Sequence, residues 1–440
     1  MAGIHTPALN TRLGFHYFPD FLHYRQGDLH TWLPELQAMG ATWLSLHAPH
    51  DRAIPEGFVV GLLEAGIEPV LHFSLPLEPA THADQLSMLL SVYSHWGVHY
   101  AILFDRPNRR SAWPANSWAK DELVERFLDR FIPLAVTAAG EGLNPVFPPL
   151  EPGGDYWDTA FLCSALAGLQ RRSPENLVGD LVLSAYARVG EKPMDWGRGG
   201  PESWPGSRPY ATPAGSQDQR GFRIFDWYLA ITQAVLGSTR PILLFGIDAF
   251  NPSQDEIAQV QQAQQIAHSL LSVQAEQTAH GANETPSCVI PAEVLAGHFS
   301  LLGCREDDPQ AKRAWFRAGG GHHPAVIALR HQASRLEKTA SGHSFTPIRK
   351  RAHPIAHYLL LPAYTWGVSD WHLTAVRPYL KKFRPTLGFS LEDALLAERV
   401  TVVGNEHDFP EDSLNALRAA GCYVERIGGD GTSIATFLAE

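Results

Sequence analysis

The chain has few cysteines and a modest share of charged residues. Of 440 residues, 18% are charged and four are cysteines. The cysteines are scattered without the spacing of a metal site or a disulfide framework: Cys163, Cys288, Cys304 and Cys422. This usage favours a reducing compartment or a role in core packing. A hydrophobic fraction of 45% excludes disordered, collagen-like and coiled-coil classes.

The sequence also lacks a basic stripe and a long hydrophobic run. Acidic residues outnumber basic ones by 46 to 35, giving a net charge of −11, so nucleic acid is not expected as a partner. No uninterrupted apolar run reaches the ~18 residues of a transmembrane helix. Residues 1–7 do not combine a cationic segment with an apolar one. We therefore predict a cytoplasmic location, with the cell surface as the alternative.

Short apolar runs alternate with longer amphipathic stretches from residue 12 to residue 338, which is typical of alternating strands and helices. The pattern predicts strands at 12–18, 41–49, 67–76, 98–104, 144–149, 180–186, 241–247 and 293–302. It predicts helices at 28–39, 55–65, 83–96, 121–140, 158–172, 221–237, 254–272 and 324–338. Asp28 is the expected N-cap of the first helix, and glycines at 40, 66 and 97 are expected helix stops.

Eight strand and helix pairs predict a (β/α)8 barrel, the TIM barrel, over residues 1–338. No glycine-rich phosphate-binding turn follows the first strand, which disfavours an open doubly wound sheet. Residues 339–355, rich in small and polar side chains, are predicted to be a linker. A small α/β domain is expected at 356–440, with an apolar run at 357–361, strands at 399–404 and 422–427, and helices at 370–383, 411–420 and 431–439.

Two stretches of the barrel portion suggest a family. The fourth predicted strand leads into Phe104-Asp105-Arg106-Pro107-Asn108, and the seventh follows Arg240-Pro241. With these, residues 1–338 resemble the glycoside hydrolase superfamily, especially retaining enzymes with Asn-Glu-Pro-Asn after strand four. The resemblance implies a barrel that acts on saccharides. Arg106 stands where that family has its acid/base glutamate, and Gly246 where it has its nucleophile; an arginine cannot supply the proton.

The C-terminal portion carries a second resemblance. Residues 399–404 read Arg-Val-Thr-Val-Val-Gly, residues 417–427 contain Ala-Ala-Gly-Cys-Tyr-Val, and residues 429–432 read Gly-Asp-Gly-Thr. With these, residues 356–440 are similar to a single cell wall-binding repeat of the kind found in tandem on bacterial surface proteins. The resemblance implies contact with the cell envelope. Domain docking or self-association is an equal alternative for a single unit.

The active face of a TIM barrel lies beyond the carboxyl ends of its strands. His16, His47 and His72 end the first three predicted strands. We interpret them as a hydrogen-bonding wall for sugar hydroxyls; a metal site and a purely structural role are the alternatives. No cofactor and no metal are predicted.

Glycoside hydrolysis needs one protonated and one ionised carboxyl group. Glu151, in apolar and proline-rich surroundings that favour a raised pKa, is the preferred proton donor, with Asp248 as base or nucleophile and Asp105 as a further candidate. Alternatively, Asp105 pairs with Arg106 or Arg109, and Asp155 and Asp158 cap the helix at 158–172. Other carboxylates at this face are Asp195 and Glu202.

Residues 187–221 are too long for a routine connection and are predicted to form a lid. Their tryptophans are interpreted as a stacking platform for a pyranose ring or as anchors of the loop. The residues that could extend the platform are Trp113, Trp118, Trp157 and Tyr186. The candidate saccharide-binding residues are His16, His47, His72, Arg106, Asn108, Asp155, Trp157, Tyr186, Trp196 and Trp204.

Three functions follow from these residues. The first is a carbohydrate-active hydrolase with non-standard acid and base, for which Glu151→Gln should abolish turnover and leave binding intact. The second is a noncatalytic protein, a pseudoenzyme, that binds a saccharide or the cell envelope. The third is a metal-assisted hydrolase that uses His16, His47 and His72.

Overall fold

A computed structural model of the chain describes residues 3–81, 83–248, 255–271, 290–339, 353, 355–362 and 370–428. The chain divides into two compact units. The first comprises Met1–Ala53 and Leu62–Phe345, and the second comprises Ile54–Gly61 and Thr346–Glu440. Within the described residues, every helix is too short or too polar to cross a bilayer.

The first unit contains a closed ring of parallel strands. The eight strands are β1 (Leu13–His16), β2 (Trp43–His47), β3 (Glu68–His72), β4 (Tyr100–Ile102), β5 (Asn144–Val146), β6 (Leu183–Tyr186), β7 (Ile242–Phe245) and β8 (Val294–Leu301). They hydrogen-bond in the order β5-β4-β3-β2-β1-β8-β7-β6. A parallel bridge between Val146 and Val182 joins the two ends of this order. The fold is a (β/α)8 TIM barrel, and the prediction from the alternation is confirmed.

Helices connect successive strands. They are α1 (Gln26–Ala38), α2 (Glu56–Glu64), α3 (Ala83–His95), α4 (Ala115–Trp118), α5 (Leu123–Gly140), α6 (Asp158–Arg172), α7 (Glu175–Asp180), α8 (Gly200–Ser203), α9 (Ile224–Leu236), α10 (Glu256–Leu271) and α11 (Ala325–Thr339). The eight predicted helices are present. Sequence analysis missed α4, α7 and α8 because helices of four to six residues do not display a helical period.

Capping explains where the first helix begins and ends. Its N-cap is Arg25, and the predicted N-cap, Asp28, instead lies in the first turn and accepts a hydrogen bond from the Arg25 amide at 2.8 Å. The predicted N-cap was therefore wrong by three positions. A carboxylate can accept a hydrogen bond from a free backbone amide both at the N-cap and, as Asp28 does, from the first turn of the helix. Gly40 follows the helix with φ of +75°, the left-handed conformation expected of a glycine stop.

The barrel interior is filled by large apolar side chains that alternate along the strands. The buried cluster consists of Trp43, Val70, Tyr100, Ile102, Val146, Val182, Leu243, Phe245, Leu295 and Ala296. His298, on β8, is also fully buried, and its ring stacks on Phe245 with 4.7 Å between centroids. Gly14 makes room for this imidazole, since a Cβ at Gly14 would lie 2.6 Å from His298 Cδ2.

The second unit contains a smaller parallel sheet. Its strands β9 (Ile355–Leu360), β10 (Thr386–Gly388), β11 (Ala397–Val403) and β12 (Tyr423–Ile427) pair in the order β10-β9-β11-β12. Its helices are α12 (Asp370–Phe383), α13 (Leu391–Ala394) and α14 (Glu411–Ala419). The expected small α/β architecture is confirmed, although β10 and α13 were not predicted. Most of the predicted linker and the terminal helix at 431–439 lie outside the described residues.

Candidate active site

Three imidazoles lie side by side at the carboxyl ends of β1, β2 and β3. His16, His47 and His72 are the last residues of these strands, and His47 and His72 occupy paired positions in the sheet. The rings of His16 and His72 stack at 6.1 Å between centroids. His47 Nδ1 donates to the Pro19 carbonyl at 2.9 Å, and His72 Nε2 donates to the Phe104 carbonyl at 3.3 Å. The strand register therefore forms the predicted histidine wall.

Burial controls the charge of two of these imidazoles. It lowers the pKa of His16, and the neighbouring His72, His298 and His47 lower that pKa further. Burial also lowers the pKa of His72, although Asp105 opposes this effect. Both rings are consequently neutral near pH 7, where each can donate one hydrogen bond and accept another. His16 Nδ1 is buried and has no hydrogen-bond partner among the described residues.

Asp105 and Arg106 follow β4 and form an ion pair, as one of the alternatives from sequence predicted. Arg106 Nε lies 2.8 Å and Nη2 2.7 Å from Asp105 Oδ2. Tyr186, the last residue of β6, donates its hydroxyl hydrogen to Asp105 Oδ1 at 2.8 Å. Arg106 has φ of +46°, a conformation that costs a non-glycine residue energy and that is found most often at functional sites.

Glu151 follows β5 and is held by arginines. Its two carboxylate oxygens accept hydrogen bonds from Arg188, at 2.5 Å to Nη1 and 3.3 Å to Nη2. Arg106 Nη1 lies 3.8 Å from Oε2. From the sequence we expected apolar and proline-rich surroundings for Glu151. The structure instead pairs this carboxylate with Arg188, which lies in the segment after β6, 37 positions away.

Asp248, two residues beyond Gly246 after β7, lies among uncharged donors. Its Oδ2 accepts hydrogen bonds from the Ser300 hydroxyl, from the Ser300 amide at 3.1 Å and from Trp315 Nε1 at 3.2 Å. Burial raises its pKa, although these hydrogen bonds oppose the shift. Asp248 thus differs from Asp105 and Glu151, each of which has an arginine for a partner.

One cavity connects these groups at the carboxyl ends of the strands. Its volume is about 580 Å³, within the size range of small-molecule sites. The predicted residues that line it are His16, His47, His72, Asp105, Arg106, Tyr186 and Asp248. The further lining residues are Pro19, Ser74, Arg188, Gly190, Gly246, Ser300, Leu301, Gln310 and Arg313. Glu151 is not a lining residue, but it contacts two lining residues, Arg106 and Arg188.

Two of the predicted binding residues, Asn108 and Asp155, do not line the cavity and instead hydrogen-bond to the backbone of the surrounding loops. Asn108 is fully buried, and its Nδ2 donates to the carbonyls of Glu151 and Tyr156 at 2.9 and 3.0 Å. Its Oδ1 accepts from the Glu151 amide, so its amide group joins the loops after β4 and β5. Asp155 accepts from the Arg110 amide at 2.8 Å. The predicted helix cap at Asp158 was wrong, since Trp157 occupies the N-cap position of α6.

The tryptophans predicted as a stacking platform or as loop anchors are not among the lining residues of the cavity. Trp196 Nε1 donates to Asp218 at 3.0 Å, and Trp204 Nε1 donates to the Arg198 carbonyl at 3.0 Å. Trp157 is buried, and the Arg220 guanidinium lies 5.3 Å from its ring centroid. The indole hydrogens of Trp196 and Trp204 are thus donated within the protein, as expected of residues that anchor a loop.

The long segment at 187–221 is organised around a buried carboxylate. Asp218 accepts hydrogen bonds from Arg220 Nε at 2.8 Å, from Thr212 at 2.8 Å and from Trp196, and Lys192 Nζ lies 3.4 Å away. These partners lower its pKa against the opposing effect of burial. The first residues of the segment, Arg188 and Gly190, line the cavity.

Sequence analysis missed four residues that shape the site: Arg188, His298, Ser300 and Arg313. His298 and Ser300 alternate on β8 between apolar residues, so the strand pattern was a usable signal. Arg188 lies two residues beyond the predicted strand at 180–186 and could have been included as a strand-end residue. Arg313 lies in a short 3₁₀ turn far from any strand end, where no local pattern marks it.

The histidine wall does not form a compact metal-binding group. Within the described residues, the one set of three or more histidine, cysteine or carboxylate ligand atoms lying within 4.8 Å of one another is His5, Glu68 and His99. This set lies at the amino ends of β3 and β4, opposite to the cavity. The arrangement of the cavity therefore gives no geometric support to the metal-assisted alternative.

Comparisons with known proteins found similarity in structure but none in sequence. No protein-family model matches the sequence, and no curated protein matches it. A monomeric beta-xylosidase from Caulobacter crescentus CB15 aligns with 74% of this chain and 69% of its own, at 10% identity and a TM-score of 0.45. The GH39 enzyme from Xanthomonas axonopodis pv. citri aligns over 75% and 67%, at 12% identity and a TM-score of 0.45.

A fructose-bisphosphate aldolase from Plasmodium falciparum also aligns, over 73% of this chain and 87% of its own, at 11% identity and a TM-score of 0.36. Scores this low carry no argument about family or activity. The function must therefore be inferred from the cavity itself.

Proposed function

We propose that this protein is a carbohydrate-active hydrolase that binds a saccharide in the barrel-mouth cavity and cleaves a glycosidic bond there. One observation carries the proposal: Asp248 and Asp105 line the same cavity with different partners, since Asp248 accepts hydrogen bonds from the uncharged Ser300 and Trp315 whereas Asp105 pairs with Arg106. Pairs of carboxyl groups whose surroundings differ in this way provide the acid and the base of glycoside hydrolysis.

Asp248 is assigned the proton-donor role. Burial favours its neutral form, and the Ser300 hydroxyl, the Ser300 amide and Trp315 Nε1 all donate to Oδ2. Within the described residues, Oδ1 receives none of these three bonds and is the oxygen that would carry the proton toward a leaving sugar oxygen. This assignment differs from the expectation from sequence, in which Glu151 was the acid and Asp248 the base.

Asp105 is assigned the role of the ionised partner. It accepts hydrogen bonds from a guanidinium and from a phenol, and both stabilise a carboxylate in a fixed orientation. Glu151 is assigned a positioning role, since its pairing with Arg188 holds that side chain at the cavity.

Recognition of the saccharide is assigned to hydrogen bonds rather than to stacking. The imidazoles of His16 and His72 are polar and neutral, as are the hydroxyls of sugars, and the single N–H of His72 is already donated to the Phe104 carbonyl. The aromatic ring of Tyr186 is covered by cations, with Arg188 at 4.6 Å and Arg106 at 5.5 Å from its centroid. A ligand rich in hydroxyl groups fits this lining better than an apolar one.

The test is a survey of aryl glycosides and polysaccharides with the wild-type protein, followed by the same survey with Asp248→Asn. The control is Asp412→Asn, which changes an exposed carboxylate in the second unit. We expect release of a reducing sugar by the wild type and by the control. In Asp248→Asn we expect its loss on polysaccharides, whose leaving oxygen is strongly basic, and a smaller decrease on aryl glycosides. Hydrolysis that survives unchanged in Asp248→Asn would contradict the assignment.

The second candidate is a noncatalytic saccharide-binding protein. Arg106 favours it, because this residue occupies the position of the missing acid and at the same time neutralises Asp105. Saccharide binding by calorimetry, without hydrolysis of any ligand that binds, would establish this candidate in place of the first.

For the second unit, we propose self-association through β12, with contact to the cell envelope as the alternative that the repeat resemblance implies. The proposal relies on the position of β12 at the end of the described sheet and on the exposed ring of Tyr423. Light scattering coupled to size exclusion tests it: Tyr423→Lys should reduce a dimer to a monomer. A monomeric wild type that binds isolated cell walls would favour the alternative.

A further inference from the structure

We propose that the amino-terminal end of the barrel holds a divalent transition-metal ion of the zinc class, bound by His5, Glu68 and His99. This site is independent of the cavity and of the reaction proposed there. Glu68 is the first residue of β3, and His99 directly precedes β4. His5 belongs to the segment that precedes β1. The three residues thus join separate parts of the chain at one point.

The donor atoms already converge. Glu68 Oε2 lies 3.0 Å from His5 Nδ1, and Oε1 lies 2.9 Å from His99 Nδ1. All three donors lie within 4.8 Å of one another. Zinc bonds of about 2.0–2.2 Å in tetrahedral geometry separate neighbouring ligand atoms by roughly 3.4 Å. The two imidazoles contact different oxygens of Glu68, so binding through a single oxygen requires a rotation of the carboxylate, together with a rotation of the exposed His5 ring out of its stack with His99.

Charge gives an independent reason for a cation here. The Glu68 side chain is only 2% exposed, and within the described residues no Lys or Arg nitrogen lies within 4.0 Å of its oxygens. A buried carboxylate needs a compensating positive charge. A divalent ion bound by the two imidazoles and the carboxylate would supply this positive charge.

The site would fasten the start of the chain to the barrel. The same segment also contacts the barrel through the Tyr100 hydroxyl, which donates to the His5 carbonyl, and through Asn10, whose side chain accepts from Trp43 Nε1 at 2.8 Å. A metal bond from His5 adds a third fixed point on the same segment. The fourth coordination position is left to water, as in sites with three protein ligands.

The experiment is a zinc titration of the full chain after treatment with a chelator, followed by calorimetry and by thermal unfolding with and without Zn²⁺. We expect one ion per chain, a higher Tm with Zn²⁺ and at least about tenfold weaker binding in His5→Ala and in His99→Ala. The control His50→Ala removes an exposed histidine elsewhere and should bind as the wild type does.

A visible spectrum of the Co²⁺-loaded protein supplies a second readout, because low-symmetry nitrogen and oxygen coordination gives bands that hexahydrated Co²⁺ lacks. His5→Ala should lose these bands and keep its fold, since the His5 side chain is 44% exposed. Binding that is equal in His5→Ala, His99→Ala and the wild type, or no Zn²⁺ binding by the wild type, would overturn the proposal.

Discussion

The hydroxyl of Tyr186 donates a hydrogen bond to Asp105 across the barrel mouth, with 2.8 Å between the two oxygens. This bond joins the end of β6 to the segment after β4, although the two residues are 81 positions apart. Asp105 is held by Arg106 on its other oxygen. The carboxylate is therefore fixed at two points before any ligand enters, which is the kind of preorganisation that catalysis by charged groups requires.

Removal of the Tyr186 hydroxyl should impair catalysis without unfolding the protein. A hydrogen bond to a charged group contributes about 1.5–3 kcal/mol, so Tyr186→Phe should lower kcat by roughly 10- to 100-fold. Steady-state kinetics on a cleaved glycoside measures this. Tyr156→Phe is the control, since its ring packs against Phe161 outside the cavity lining. An unchanged kcat in Tyr186→Phe would exclude a role for this bond in the reaction.

Glu151→Gln distinguishes a positioning residue from a proton donor. A glutamine still accepts one hydrogen bond from Arg188 but loses the ionic pairing, so we expect a several-fold increase in KM with a smaller change in kcat. The variant Arg188→Gln should show the same pattern. Loss of turnover with unchanged binding in Glu151→Gln would instead indicate that Glu151 is the proton donor.

Much of the barrel could be predicted from sequence because local rules act at each strand and helix. Apolar runs of strand length followed by amphipathic helices specify the alternation, and glycines such as Gly40 and Gly66 mark helix ends by their positive φ. The bounds of α6 were predicted without error. Short helices such as α7 were missed since four to six residues leave no periodic signal.

The site could be predicted in part for the same reason. His16, His47 and His72 end strands, and the barrel brings all strand ends to one face. The roles of the carboxylates depend on partners distant in sequence: Arg188 for Glu151, and Ser300 with Trp315 for Asp248. No local sequence pattern reveals such pairs, so the hydrogen-bond partners of each carboxyl group could not be predicted.

Gly14 should tolerate no side chain. A Cβ there would lie 2.6 Å from His298 Cδ2 and 3.0 Å from Trp43 Cβ, in the packed interior of the barrel. Gly14→Ala should therefore cost about 1–3 kcal/mol of unfolding free energy, measured by denaturant titration. Gly27→Ala is the matched control, because nothing lies within 4 Å of the added Cβ. Equal stability of the two variants would contradict the packing described around His298.

Asp218 should stabilise the segment at 187–221 in a pH-dependent way. Its side chain is fully buried, and its pKa is lowered, so its contribution is present above the ordinary pKa of 3.8 and is lost as pH falls through the lowered value. Asp218→Asn should cost about 2–4 kcal/mol at pH 7.

The pH dependence of this difference is the measurement. Unfolding of the wild type and of Asp218→Asn should differ by a constant amount above about pH 5, and the difference should shrink below about pH 4. Asp195→Asn, at an exposed position in the same segment, should unfold as the wild type does at every pH. A difference that grows on acidification would contradict the described pairing.

The dependence of rate on the leaving group tests the assigned proton donor most directly. A general acid matters most when the departing oxygen is strongly basic, and little when it leaves readily as a phenolate. Asp248→Asn should therefore lose most of its kcat/KM on alkyl glycosides and retain far more on nitrophenyl glycosides of the same sugar. An equal loss on both kinds of substrate, or no loss on either, would contradict the assignment of Asp248 as the acid.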